Sequence, residues 1–140
     1  MKAYTDIEQS KKLAKILPLE SADGFWQFHT EWGGYEDSWE GYEDYPSAVP
    51  YLEFTRYENE WKEEKQDMPC WSLAALLDII PQEILDGEYI INITGNDGWT
   101  LMYNHYELRN HSYFGLSTSA DNLIDVCVKT ILKLYELNLL

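Results

Sequence analysis

His29, His105 and His111 are the chain's three imidazoles and its first candidates for acid–base chemistry. A turn around Leu108-Arg109-Asn110 would bring His105 and His111 together with Glu107 beside them, and a histidine–carboxylate pair can move protons near neutral pH. The same spacing also suits polar residues on a solvent-facing strand and turn. No His-Glu-x-x-His or Cys-x-x-Cys occurs, so no zinc and no other metal is expected. Cys70 precedes an apolar run and Cys127 falls on an apolar helical face; both read as packed, reduced thiols rather than nucleophiles. There is no Gly-x-Ser-x-Gly elbow, phosphate loop or dinucleotide fingerprint, and no cofactor is expected. With 25 acidic residues, neighbouring carboxylates alone do not point to glycoside hydrolysis. No catalytic residue is assigned by motif. The reading as an enzyme or small-ligand binder rests on His105, His111 and Glu107.

A second feature is larger. From Glu31 to Asp67 there are 12 acidic residues against Arg56, Lys62 and Lys65, a net −9 out of −15 for the 140-residue chain. Trp32, Tyr35, Trp39, Tyr42, Tyr45, Tyr51, Phe54, Tyr57 and Trp61 are interleaved with them. Gly34-Tyr35-Glu36-Asp37 recurs seven positions on as Gly41-Tyr42-Glu43-Asp44, and these glycines with Pro46 favour turns over a long helix. Carboxylates at this density repel one another, a cost that a basic partner relieves, and aromatic side chains supply contact area of the kind enriched at interface anchors. The candidate partner-binding set is Tyr35, Glu36, Asp37, Trp39, Glu40, Tyr42, Glu43 and Asp44. The competing reading is a solvated acidic face whose aromatics turn inward. Calcium is disfavoured, since no Asp-x-Asp-x-Asp-Gly loop appears.

Three helices are expected to position these residues. Thr5-Asp6-Ile7-Glu8 reads as a capping box opening a helix that Pro18 ends. Ser72 to Ile80, capped by Ser72 and stopped by Pro81, should bury Leu73, Leu76, Leu77 and Ile80. Thr118 or Ser119 caps the third, whose stripe runs through Leu123, Ile124, Cys127, Val128, Ile131, Leu132, Leu134 and Tyr135. Strands are expected at 25–30, 51–57, 88–94, 99–106 and 111–116, with Gly95-Asn96-Asp97-Gly98 as a hairpin turn. Trp71 and Trp99 read as core or core-edge residues. The order implies one α+β domain over residues 1–140, an antiparallel sheet of about four or five strands packed by three helices, with 31–67 an acidic aromatic segment within it.

The charge balance works against direct binding to nucleic acid or an anionic membrane surface. No stretch approaches the roughly 20 apolar residues of a membrane span, and Met1 to Asp6 lacks a signal peptide's apolar core, so a cytoplasmic location is expected.

Tyr4 to Leu13, Leu17 to Asp23, Pro69 to Leu77 and the run Lys133-Leu134-Tyr135-Glu136-Leu137 resemble a group of short uncharacterised proteins encoded in gut Bacteroides genomes, often near prophage or conjugative elements. The resemblance implies a bacterial cytoplasmic setting and a mobile-element origin, with no activity or site residue to carry over. Residues 24–67 fall outside it. The leading expectation is a non-enzymatic protein that engages a basic partner, in its most specific form as a nucleic-acid charge mimic. An immunity protein against a basic toxin is a close relative of that idea. A scaffolding protein that dimerises through exposed aromatics is a further class.

Overall fold

The first helix starts one residue later than the Thr5–Glu8 pattern predicts. In the computed structural model, which describes residues 2–27, 47–50, 68–113 and 116–140, Asp6 is the N-cap of α1 (Ile7–Ala14) and Gln9 closes the reciprocal bond. The Gln9 N–H donates to Asp6 Oδ1 at 2.8 Å, and the Asp6 N–H donates to Gln9 Oε1 at 3.0 Å. Thr5 is withdrawn from capping because it is fully buried. Its Oγ1 accepts the Trp71 N–H at 3.2 Å and shares a 2.7 Å hydrogen bond with Ser10 Oγ.

The chain divides into two compact units, Tyr4–Ser72 and Met1–Ala3 with Leu73–Leu140. In the first, a single 3-10 turn at Leu19–Ser21 leads into β1 (Gly24–Gln27), which pairs antiparallel with both β2 (Ser47–Pro50) and β3 (Met68–Cys70). The order β2-β1-β3 places both prolines, Pro50 and Pro69, on edge strands, where a missing N–H costs no central ladder bond. Leu13, Phe25, Met68, Cys70 and Trp71 are buried here. Trp71 Nε1 donates to Ser21 Oγ at 2.9 Å, and Trp26 Nε1 donates to the Thr5 carbonyl at 3.0 Å. Asp23 accepts from both the N–H and the hydroxyl of Ser72.

In the second unit, α2 (Leu73–Ile79) is followed by a four-stranded meander, β4 (Glu83–Ile84), β5 (Tyr89–Gly95), β6 (Trp99–His105) and β7 (Thr118–Ala120), in that spatial order. α3 (Leu123–Glu136) closes it, packed on α2, β6 and β7. Positive φ at Asp97 (53°) and Gly98 (109°) lets three residues reverse the chain between Gly95 and Trp99, as the Asn-Asp-Gly signal predicts. Leu101, Tyr103, Ile124, Cys127, Ile131 and Leu134 are buried, while Ile90 on the other sheet face is 45% exposed. Lys2 Nζ bonds Asp125 Oδ1 at 2.5 Å near the start of α3.

The α+β class and the antiparallel pairing agree with expectation. The strands, however, form two sheets rather than one, because three short, widely spaced segments pair among themselves. Among the described residues of the anticipated strand at 111–116 there is an isolated bridge, Asn104 with Ser112, and β7 lies further on. That strand takes up Thr118 and Ser119, so the cap of α3 passes to Asn122, whose Oδ1 accepts from Ile124 and Asp125. Leu77 (39%), Tyr135 (52%) and Trp99 (39%) are exposed rather than buried. The Trp99 ring lies over Gly95, where a Cβ would come within 2.7 Å of it. The expected strand at 51–57 lies outside the described residues.

Candidate functional site

Register places the His105 site. β5 and β6 pair Tyr89 with His105, and the Tyr106 N–H donates to the Glu88 carbonyl at 3.0 Å, so Glu88 sits beside the end of β6. The His105 ring meets Tyr89 edge-on at 5.4 Å and stacks on Tyr106 at 5.1 Å. Tyr113 in turn meets Tyr89 edge-on at 5.2 Å. These spacings lie within the favourable range for aromatic pairs.

Nδ1 is hydrogen-bonded, and Nε2 has a carboxylate nearby. Nδ1 accepts the backbone N–H groups of Glu107 at 3.2 Å and Leu108 at 3.1 Å. Nε2 lies 3.6 Å from Glu88 Oε1, within range of charge attraction but beyond a hydrogen bond. The anticipated meeting of His105, His111 and Glu107 does occur, but through main chain. His105 N–H donates to the His111 carbonyl at 2.8 Å, His111 N–H donates to the Leu108 carbonyl at 2.7 Å, and the His111 side chain is exposed. The Glu107 carboxylate engages Tyr106; that hydrogen bond, then partial desolvation and last the nearby Glu88 charge raise the Tyr106 phenol above its usual range.

The carboxylate that faces His105 is therefore Glu88, which sequence reasoning passed over. The available signal was its place just ahead of β5 in a hairpin whose turn was already legible. A general base needs a lone pair aimed at substrate. Here the only lone pair on the ring is spent on the turn. The arrangement can hold a loop.

The thiols are equally inert. Burial pushes Cys70 up, with the Asp23 charge adding to the shift, and burial pushes Cys127 up to about 11. Both stay protonated at neutral pH and are poor nucleophiles. Among the described residues, no group of three or more His, Cys, Asp or Glu side chains could hold a metal ion, and no helix is long and apolar enough to cross a membrane.

Tyr35, Glu36, Asp37, Trp39, Glu40, Tyr42, Glu43 and Asp44 lie outside the described residues, as does His29. Their attachment points are described: residues 28–46 join β1 to β2, and 51–67 join β2 to β3. Both connections thus begin and end on the three-stranded sheet. No known protein family, no curated protein and no solved structure matches the chain.

Proposed function

We propose that this chain is a non-enzymatic, cytoplasmic protein of mobile-element origin that binds a basic protein partner through the acidic aromatic segment 31–67. In its most specific form the segment imitates nucleic acid, its carboxylates taking the place of phosphates in a basic groove. The observation that carries this reading is the net −9 between Glu31 and Asp67, interleaved with aromatics and partly repeated as Gly-Tyr-Glu-Asp. Charge of one sign held in one stretch steers an oppositely charged partner at long range, and aromatics supply the contact anchors. The attachment of both connections to one sheet supports the reading, since tethered ends reduce the ordering cost of binding. The commitment of His105 Nδ1 to two backbone N–H groups weighs against the alternative built on His105, His111 and Glu107.

The test replaces Glu36→Gln, Asp37→Asn, Glu40→Gln, Glu43→Gln and Asp44→Asn together in a tagged chain. Capture from host lysate is followed at low and moderate salt with identification by mass spectrometry. A basic nucleic-acid enzyme or toxin retained by the wild type, released by salt and absent from the substituted bait is the expected result. Equal capture by both baits, or none by the folded wild type, contradicts the proposal.

A further inference from the structure

A ring nitrogen that accepts hydrogen bonds carries no proton. His105 Nδ1 accepts two, from the N–H groups of Glu107 and Leu108, so the closed turn requires the neutral imidazole with its hydrogen on Nε2. Protonation puts an N–H where the acceptor was, and three donors then converge with nothing to receive them. We propose that His105 is a proton-operated latch on the turn Tyr106–Asn110: the neutral ring holds the turn and the imidazolium releases it.

The groups facing the ring define how the latch behaves. Glu88 lies 3.6 Å from Nε2, which carries hydrogen in both forms. It therefore offers no acceptor at Nδ1 in either form. Tyr89 meets the ring edge-on and Tyr106 stacks on it, with the Tyr106 phenol engaged by Glu107. Tyr113 reaches Tyr89, and the His111 side chain points to solvent.

The base of the turn is held separately. Asn104 Nδ2 donates to the Arg109 carbonyl at 3.0 Å, and Tyr113 N–H donates to the Tyr103 carbonyl at 2.7 Å. Release is thus confined to the segment carrying Tyr106 and Leu108, which are already 51% and 55% exposed. Every residue named in the latch belongs to Leu73–Leu140, and its test reads those residues directly, so it is decided apart from the proposed partner binding.

The test is a pH series on the full chain, reading imidazole nitrogen shifts by NMR alongside amide-exchange protection. At high pH the ring should show the Nε2–H tautomer. As it protonates, protection at Glu107 and Leu108 should fall about tenfold, the scale expected for losing two modest hydrogen bonds. Tyr113 should keep its protection. His105→Asn, whose side-chain oxygen offers a non-titrating acceptor in the same local geometry, should hold both amides across the whole range. An Nδ1–H tautomer at high pH, full protection with the ring charged, or pH-dependent release in His105→Asn would each overturn the latch. The wild-type series decides alone if that variant does not fold.

Discussion

In the C-terminal unit every sheet neighbour is also a chain neighbour: β4 pairs with β5, β5 with β6 and β6 with β7. In the N-terminal unit β1 finds its partners far along the chain, with Gly24 opposite both Pro50 and Cys70. Local pairing closes small loops at modest entropic cost, whereas distant pairing must be compensated elsewhere. The compensation is visible as a buried polar hub in which Thr5 bonds both Ser10 and Trp71, and Trp71 reaches Ser21. The contrast separates a self-sufficient meander from a sheet that gathers distant strands around one tryptophan. It is the second sheet that carries both acidic connections.

Substitutions can break or sharpen that contrast. The largest effect should come from Trp71→Ala, which deletes a fully buried indole and its bond to Ser21; a loss of about 3–5 kcal/mol is expected in urea unfolding. A loss under 1 kcal/mol would mean that Trp71 is not the hub. Thr5→Val keeps the shape but leaves the buried Trp71 N–H without its acceptor, for about 1–3 kcal/mol. The matched change in the meander, Tyr103→Phe, removes the hydroxyl that donates to the Pro81 carbonyl at 2.5 Å and should cost only about 0.5–1.5 kcal/mol. Reversal of those two sizes would put the polar dependence in the wrong unit.

Smaller effects test the meander's local economy. Leu85 adopts φ 53° in the β4–β5 turn, a left-handed conformation that disfavours a branched side chain, so Leu85→Gly should gain about 0.5–1 kcal/mol. Thermal unfolding would read it. Smallest is the alkaline response of Cys127. Folding raises this thiol to about 11 from the ordinary 9.0, so its contribution to stability is intact below the ordinary value and fades as pH climbs to about 11. Cys127→Ala should flatten that part of the stability–pH curve.

The same contrast explains what could be read without coordinates. The β5–β6 hairpin was legible because Asn96-Asp97-Gly98 sits between β-branched runs, and α3 was legible from its stripe. Both signals are local. Met68-Pro69-Cys70 and Ser47-Ala48-Val49-Pro50 carry no alternation and contain prolines, so nothing short-range marks them as strands. The α1 cap was misplaced by one residue because Thr5 satisfies the capping pattern while its hydroxyl is claimed by Trp71, 66 positions away. At the His105 site the turn bringing in His111 and Glu107 was readable from spacing. Glu88 takes a further step, since its place beside His105 emerges only when the register set by the hairpin turn is counted back along β5 and β6.

One measurement bears most directly on the claim that partner binding belongs to the acidic segment and not to the chain's overall charge. It compares two baits with equal charge loss. The first carries the five amide substitutions at Glu36, Asp37, Glu40, Glu43 and Asp44. The second carries Glu83→Gln, Asp86→Asn, Asp97→Asn, Glu107→Gln and Asp121→Asn, all on exposed residues of the C-terminal unit. Capture of the basic partner should vanish with the first bait and persist with the second. Equal loss with both would assign the effect to net charge alone and contradict the account.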